Sequence, residues 1–303
     1  MKIVFAGSPE YAVPALKAVH ERFGVIAVIT QPDKPVGRKK VMTPTPVKAE
    51  AQKLGIPVYD FVKIRNCVEE VKELGADIMI TCAYGQLLSQ EVLDCFEKGV
   101  WNLHASLLPG FRGASPIQSA ILAGESHTGV TVMRTELALD SGDILLVKRC
   151  EIGDKNCAEL SAELSVLSAE AAVEAVELIK EGQLQLLMQD EAKVTFCKKI
   201  QKSDCKIDFS RSSGDICRLI RAMNPEPYAF CVQNGTVLNI LRATPTEAEG
   251  ETGTVVCADK RGIVVACGSG AIRIEELQPA GGKVMKAADF VNGRKIKAGD
   301  KLD

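Results

Sequence analysis

Continuous apolar runs alternate with helical stripes over the first half of the chain. Lys2–Ala6 is an unbroken apolar strand. A helix follows over Glu10–Arg22, with Val13, Leu16, Ala18 and Val19 on its inner side and Gly24 at its end. Val25–Thr30 then reads as a second buried strand, so the segment is a βαβ unit and predicts a parallel sheet with right-handed crossovers. Further strands are expected at Val58–Phe61, at Asp77–Thr81 and in the run that ends at Asn102 and His104. Helices are expected over Val47–Leu54 and Ile64–Leu74, with a short one opening at Ser89 or Gln90. Ser115 and Pro116 are a helix start, with Ser as N-cap and Pro first inside, and the helix runs to Ala123 before Gly124. Thr128–Thr135 and Ile144–Lys148 read as strands joined by the turn Leu139–Asp143. Ala158–Glu181 keeps the helical period over six turns until Gly182.

The pattern changes after about residue 188. A polar, basic segment covers 189–206, a helix is expected over Asp215–Met223, and short β-rich runs follow. These are Ala229–Gln233, Thr236–Leu241 across an Asn234–Gly235 turn, Thr254–Cys257, Gly262–Ala266 and Ala271–Gln278. Strands at such spacing with glycine turns predict a small β-barrel. The expected organisation is therefore 1–188, an α/β domain with a mostly parallel Rossmann-like sheet and helices on both faces; 189–206, a basic linker; and 207–303, a barrel domain. Gln31–Pro46, with prolines at 32, 35, 44 and 46, is excluded from helix or central strand and is expected to be an exposed basic loop.

Composition adds three constraints. The 303 residues suit two domains, and 46% hydrophobic with 25% charged residues is ordinary for a soluble globular chain. No apolar run has the roughly 18 residues of a membrane helix, and the N-terminus reads as a strand rather than a signal segment, so a cytoplasmic location with no membrane partner is expected. Eleven cysteines are scattered without a Cys-x-x-Cys or a zinc-like Cys/His spacing, which fits reduced thiols and no metal site. The third constraint is charge. The chain carries −2 overall, yet residues 31–50 carry +3 and residues 193–222 carry +5, leaving −10 elsewhere. Such segregation suits local contact with a polyanion, although solvated loops produce the same pattern.

The candidate chemistry lies in Gly99–Gln118. The strand period of two sets Asn102 and His104 on one face, one pleat apart, at the end where an open parallel sheet places its ligands. A histidine is often only structural, but here its same-face neighbour is an amide with a donor NH₂. The turn aspartate Asp140 is the third candidate, although spacing alone does not bring it to the same edge. The trio suits acyl-type transfer: Asn102 and protonated His104 can stabilise an oxyanion, while Asp140 can hold the imidazole in one tautomer and take a proton from an attacking amine. The Gly7-Ser8-Pro9 turn lacks the glycine spacing of a dinucleotide site, so no NAD is expected. No nucleophilic Ser or Cys motif is visible, so direct transfer is preferred.

Asn-x-His-x-Ser-x-Leu-Pro at Asn102–Pro109, followed by Leu-Asp-x-Gly-Asp at Leu139–Asp143, resembles the 10-formyltetrahydrofolate-dependent formyltransferase superfamily. The opening MKIVFAGSPEYAVPAL, the loop QPDKPVGRKKVMTPTPVK, the run ADIMITCAYGQLL and the tail GGKVMKAADFVNG extend the resemblance over essentially the whole chain. It implies a Rossmann-like catalytic domain, an OB-like C-terminal barrel and 10-formyltetrahydrofolate as formyl donor, with Asn102, His104 and Asp140 catalytic. It further implies folate contacts from Ser106, Leu107, Leu108 and Pro109 and from the loop Tyr84, Gly85, Gln86, Leu87 and Leu88. The basic loop and the C-terminal domain ally the chain with members whose acceptor is an initiator methionyl-tRNA, to be bound by Lys34, Arg38, Lys39, Lys40, Lys198, Lys199, Lys202 and Lys206. Lys39 stands where these members usually carry Gly. A monomer suffices. Two other readings stay open: a formyltransferase for a small amine such as a sugar nucleotide, which shares the trio but has no use for the basic segments, and a non-catalytic tRNA- or folate-binding protein.

Overall fold

The structure, a computed structural model, describes residues 1–303 apart from Arg38 and Arg294. Five parallel strands begin the fold: β1 (Ile3–Gly7), β2 (Ala27–Ile29), β3 (Val58–Tyr59), β4 (Ile78–Cys82) and β5 (Val100–His104). Two antiparallel strands, β6 (His127–Arg134) and β7 (Ile144–Glu151), extend the same sheet, whose order is β3-β2-β1-β4-β5-β6-β7. Every residue of β1 and β4 is buried, as expected of parallel strands covered on both faces. The chain leaves β1 first toward β2 and β3 and then returns to build β4 and β5 on the other side. This reversal is what places a ligand crevice at the carboxyl ends of such strands, where Gly7, Cys82 and His104 stand.

The helices follow their sequence signals. Val13–Phe23 has Pro in its first turn and ends at Gly24, whose φ of 77° only glycine adopts readily. Pro46–Lys53 starts on Thr45, whose hydroxyl accepts from the Lys48 N–H at 3.1 Å. The long helix Cys157–Glu181 is held by Tyr11, whose phenol lies 2.8 Å from the Ser168 hydroxyl and whose carbonyl accepts from Ser165. The expected single helix over Ile64–Leu74 is divided into a 3₁₀ turn, Ile64–Asn66, and a helix, Val68–Glu73. Asn66, Cys67 and Val68 all have weak helix propensity, and Cys67 takes a non-helical ψ of 41° between the two pieces. Within the basic proline loop, Lys34–Val36 and Val41–Thr43 form an exposed two-stranded ribbon apart from the main sheet. Proline at position 35 is tolerated there as it would not be in a central strand.

Two compact units divide the chain. The first holds Met1–Pro116, His127–Glu151 and Ser161–Cys197; the second holds Ile117–Ser126, Ile152–Leu160 and Lys198–Asp303. In the second unit the strands Ala229–Gln233, Thr236–Thr246, Ala271–Pro279, Gly262–Ala266 and Val255–Asp259 pair antiparallel in that order, and Met285–Lys286 pairs with Ala271–Pro279. Thr236–Thr246 runs past its expected end at Leu241 because its pairing with the neighbouring strand continues to Thr246 opposite Ala271. The last four residues join the sheet's two edges. Asp303 exchanges both backbone hydrogen bonds with Val232, while Leu302 and Asp300 bond to Gly253 and Val255. The sheet is thereby closed into a barrel, which removes its open edges. Its interior holds Leu238, Ile240, Ile263, Val265, Ile272, Ile274 and Leu302, with Phe290 from the helix Ala287–Asn292.

Candidate active site

Strand pairing brings Thr81 of β4 opposite Asn102 of β5. The Thr81 hydroxyl donates to Asn102 Oδ1 at 2.8 Å. The amide is thereby oriented with its carbonyl toward β4, which leaves the NH₂ as the end available to a ligand. Two residues on, His104 is only 5% exposed. Its Nε2 lies 3.0 Å from the carbonyl oxygen of Phe111, which can only accept, so Nε2 carries a hydrogen and Nδ1 is the atom turned toward Asp140. Asp140 Oδ2 stands 3.6 Å from Nδ1, beyond a hydrogen bond, and accepts the Gly113 N–H at 2.8 Å. The tautomer is therefore set by Phe111, where the sequence pointed to Asp140.

The Asp140 turn is tightly built. Asp140 has φ 49°, and a Cβ at Gly142 would lie 1.9 Å from the Arg134 carbonyl, so no other residue fits there. One buried side chain spans the turn: Gln189 Nε2 donates to the carbonyls of Asp140 at 2.9 Å and Gly142 at 2.8 Å. Gln189 Oε1 in turn accepts two N–H groups of Arg112, at 3.1 and 2.9 Å. Phe196–Cys197 pairs parallel with Arg112–Gly113, and the Thr195 hydroxyl accepts the Phe111 N–H at 2.8 Å.

The loop after His104 spends its polar groups on itself. The Ser106 hydroxyl donates to the Gly110 carbonyl at 2.7 Å, and Thr131 clamps the Ser106 carbonyl and the Leu108 N–H. Leu108 packs with Met133 and Ile144, while Leu107 and Pro109 are half-buried. In the loop after β4, Tyr84 is buried in the core, and burial pushes its phenol up. Gly85 is exposed, with φ 81°. Gln86 binds backbone at both ends, accepting from Ile64 N–H and donating to Phe61. Leu87 is 76% exposed and Leu88 is half-buried. Cys82, at the strand end, is fully buried and its thiol is pushed up to about 12, which makes it a poor nucleophile near neutral pH. No disulfide joins any of the cysteines, and among the described residues no group of three or more His, Cys, Asp or Glu is arranged to hold a metal ion.

The basic ribbon projects exposed Lys34, Lys39 and Lys40, beside exposed Val36, Val41 and Met42; Arg38 lies outside the described residues. Its root is fixed by Lys48, whose Nζ lies 2.7 Å from both Asp33 and Asp60, and these carboxylates push the Lys48 ammonium up. A second tie runs through Gln31, which accepts from Lys34 and donates to the carbonyls of Tyr84 and Gly85. Lys198, Lys199, Lys202 and Lys206 are exposed in the second unit, with Lys198 3.6 Å from Asp204.

Residues 1–176 match the formyl transferase family model, and residues 199–295 match the model of the formyl transferase C-terminal domain. Methionyl-tRNA formyltransferase of Geotalea daltonii is 42% identical over all of this chain and 98% of its own length. That of Neisseria meningitidis is 44% identical over the full length of both. The chain belongs to the methionyl-tRNA formyltransferase family. Among solved structures, an N-formyltransferase of Helicobacter canadensis, in complex with folinic acid and dTDP-3-aminofucose, is 20% identical with a TM-score of 0.71, over 90% of this chain and 99% of its own, and supports the fold.

Within this formyltransferase the structure brings Asn102, His104 and Asp140 to one strand-end region through Thr81, Phe111 and Gly113, none of which stood out in the sequence. Thr81 carried a weak signal, as the polar member of an otherwise apolar run. The bonds from Phe111 and Gly113 are main-chain and leave no trace in residue type. Gln189 and Arg112 carried no signal either: the first opens a stretch that reads as linker, and a lone arginine after a turn suggests solvent rather than its observed 4% exposure.

Proposed function

We propose that the chain transfers the formyl group of 10-formyltetrahydrofolate to the α-amino group of methionine on initiator methionyl-tRNA, with Asn102, His104 and Asp140 as the catalytic residues. The membership of the family supports the reaction; the placement of an amide donor, an imidazole and a carboxylate around one strand end supports the roles. The amine attacks the formyl carbon, the carbon–nitrogen bond to the folate breaks, and one proton passes from the attacking nitrogen to the departing one. Asn102, held by Thr81, supplies a hydrogen bond to the developing oxyanion, a donor worth about 3 kcal/mol; His104, whose Nε2–H is spent on Phe111, adds a second from Nδ1 only when the ring carries both protons as an imidazolium. Asp140, beside Nδ1, balances charge on the imidazole and receives the proton directly or through water. The folate is met by the Ser106–Pro109 and Tyr84–Leu88 loops, with exposed Leu87 as the apolar contact and Gln86 as a strut. The tRNA is met by the basic ribbon and by the lysines of 198–206, and one copy of the chain suffices. Catalysis is assigned to the first unit, which takes in residues 189–197 of the expected linker, and tRNA binding to its basic ribbon together with Lys198–Asp303 of the second.

The orientation of Asn102 by Thr81 is the single observation that carries the assignment, because a purely structural asparagine would spend its NH₂ as well. Incubation with 10-formyltetrahydrofolate and methionyl-tRNA is expected to give N-formyl-methionyl-tRNA and tetrahydrofolate in equal amounts. A dTDP-amino sugar offered as acceptor is expected to give no product. Transfer to the sugar and not to the tRNA would overturn the reading.

A further inference from the structure

The segment between the two family-matched regions, residues 177–198, reads as a connector, yet residues 189–197 are bonded into the site. Gln189 is 5% exposed and Arg112 is 4% exposed, so neither is a casual surface contact. Every polar atom of the Gln189 amide is used. Its two N–H groups reach Asp140 and Gly142, the two backbone carbonyls that flank the turn, and its oxygen is gripped by the Arg112 guanidinium. Arg112 Nη2 also meets Glu191 at 2.8 Å. The backbone beside Arg112 does two further things. Phe111 holds His104 through its carbonyl, and Gly113 holds the Asp140 carboxylate through its N–H. His104, the Asp140 backbone and the Asp140 carboxylate are thus all referred to three consecutive residues, with Gln189 as the strut that completes the frame.

Asp140 needs such a frame. Its φ of 49° is uncommon for a residue with a side chain, and its carboxylate stops 3.6 Å short of His104, so no direct bond to the imidazole holds it. A buried amide with every hydrogen-bonding atom satisfied is rigid, and replacing its donor end leaves two buried carbonyls unmatched.

We propose that Gln189, backed by Arg112, is a positioning residue for formyl transfer, holding the Asp140 turn at the distance from His104 that the reaction needs. This rests on the reading of Asp140 as catalytic. The Gln189→Glu variant tests it, because it keeps the shape and the contact to Arg112 while turning an acceptor oxygen toward the two carbonyls. The full chain is used, with Gln189→Met as a second variant lacking both ends of the amide. The expected result is a kcat at least about tenfold lower in both, with KM for 10-formyltetrahydrofolate and for methionyl-tRNA within about threefold of wild type and the melting transition still cooperative, since displacement of a reacting group by even an ångström lowers turnover steeply. In an Asp140→Asn background, read in single-turnover incubations, Gln189→Glu is expected to cost less than about twofold more. Amide exchange at Gly113 and across 138–143 is expected to quicken in Gln189→Glu, a readout that does not depend on the reaction assigned. Unchanged kcat in both variants overturns the proposal. So does an equal loss with and without the Asp140 carboxylate, or unaltered exchange at the turn. A wild-type chain that transfers no formyl group would instead sink the functional reading, leaving the exchange measurement to decide whether Gln189 holds the turn.

Discussion

His104 makes one hydrogen bond to a backbone carbonyl and faces one carboxylate, and Asn102 makes one hydrogen bond to a threonine. Each is therefore held at one end and available at the other, which is the state a catalytic group needs before substrate arrives. Replacing His104 or Asp140 with Ala is expected to lower kcat at least about a hundredfold, within the usual range for proton-transfer and oxyanion groups; steady-state formation of N-formyl-methionyl-tRNA measures it. Near-normal turnover in either variant would remove that residue from the mechanism. Thr81→Val probes orientation alone. It conserves volume and deletes the hydroxyl that fixes the Asn102 amide, so kcat is expected to fall about tenfold with folate KM unchanged, the cost of an interaction made chiefly in the transition state.

The basic ribbon is the element with the clearest separable task. Its tip lysines are exposed, while Lys48 at its root is bound by Asp33 and Asp60 and is not available for phosphate. The double variant Lys39→Gln, Lys40→Gln is expected to raise KM for methionyl-tRNA, leave folate KM unchanged and lessen the salt dependence of tRNA binding by about one to two in slope, as lost phosphate contacts require; filter binding across a salt series checks it. An unchanged slope means that the tip does not meet phosphate. At this scale the chain was readable wherever one period dominates. The buried strands and the 25-residue helix announce themselves through continuous or 3.6-spaced apolar residues. Asn102 and His104 were legible because a period of two decides a shared face. The ribbon within the proline loop and the short pairing of Arg112–Gly113 with Phe196–Cys197 were not, since two- or three-residue strands bury too little to leave a pattern. Residues 189–197 were misleading for a related reason: polar residues that bond to a site look the same in sequence as polar residues that bond to water.

For the molecule as a whole, the barrel of the second unit depends on its final residues. Leu302 is 3% exposed, and the backbone on either side of it joins Val232 to Gly253–Val255. Leu302→Ala is expected to destabilise that unit by about 2–5 kcal/mol, the range for a large-to-small change in a core, read as a lower denaturant midpoint and faster proteolysis within 198–303. Unaltered midpoints would mean that the closure contributes little. The same closure has a consequence for the order of events at the ribosome. Ile117–Ser126 and Ile152–Leu160 belong to this unit but are made well before the barrel, and residues 300–303 emerge after every other strand of it. Because chains fold by units as they are made, the first unit has its last residue, Cys197, in hand while the second is still open-edged. For the rest of synthesis those two early segments wait for partners, and the open strand edges at Val232 and Val255 wait for residues 300–303.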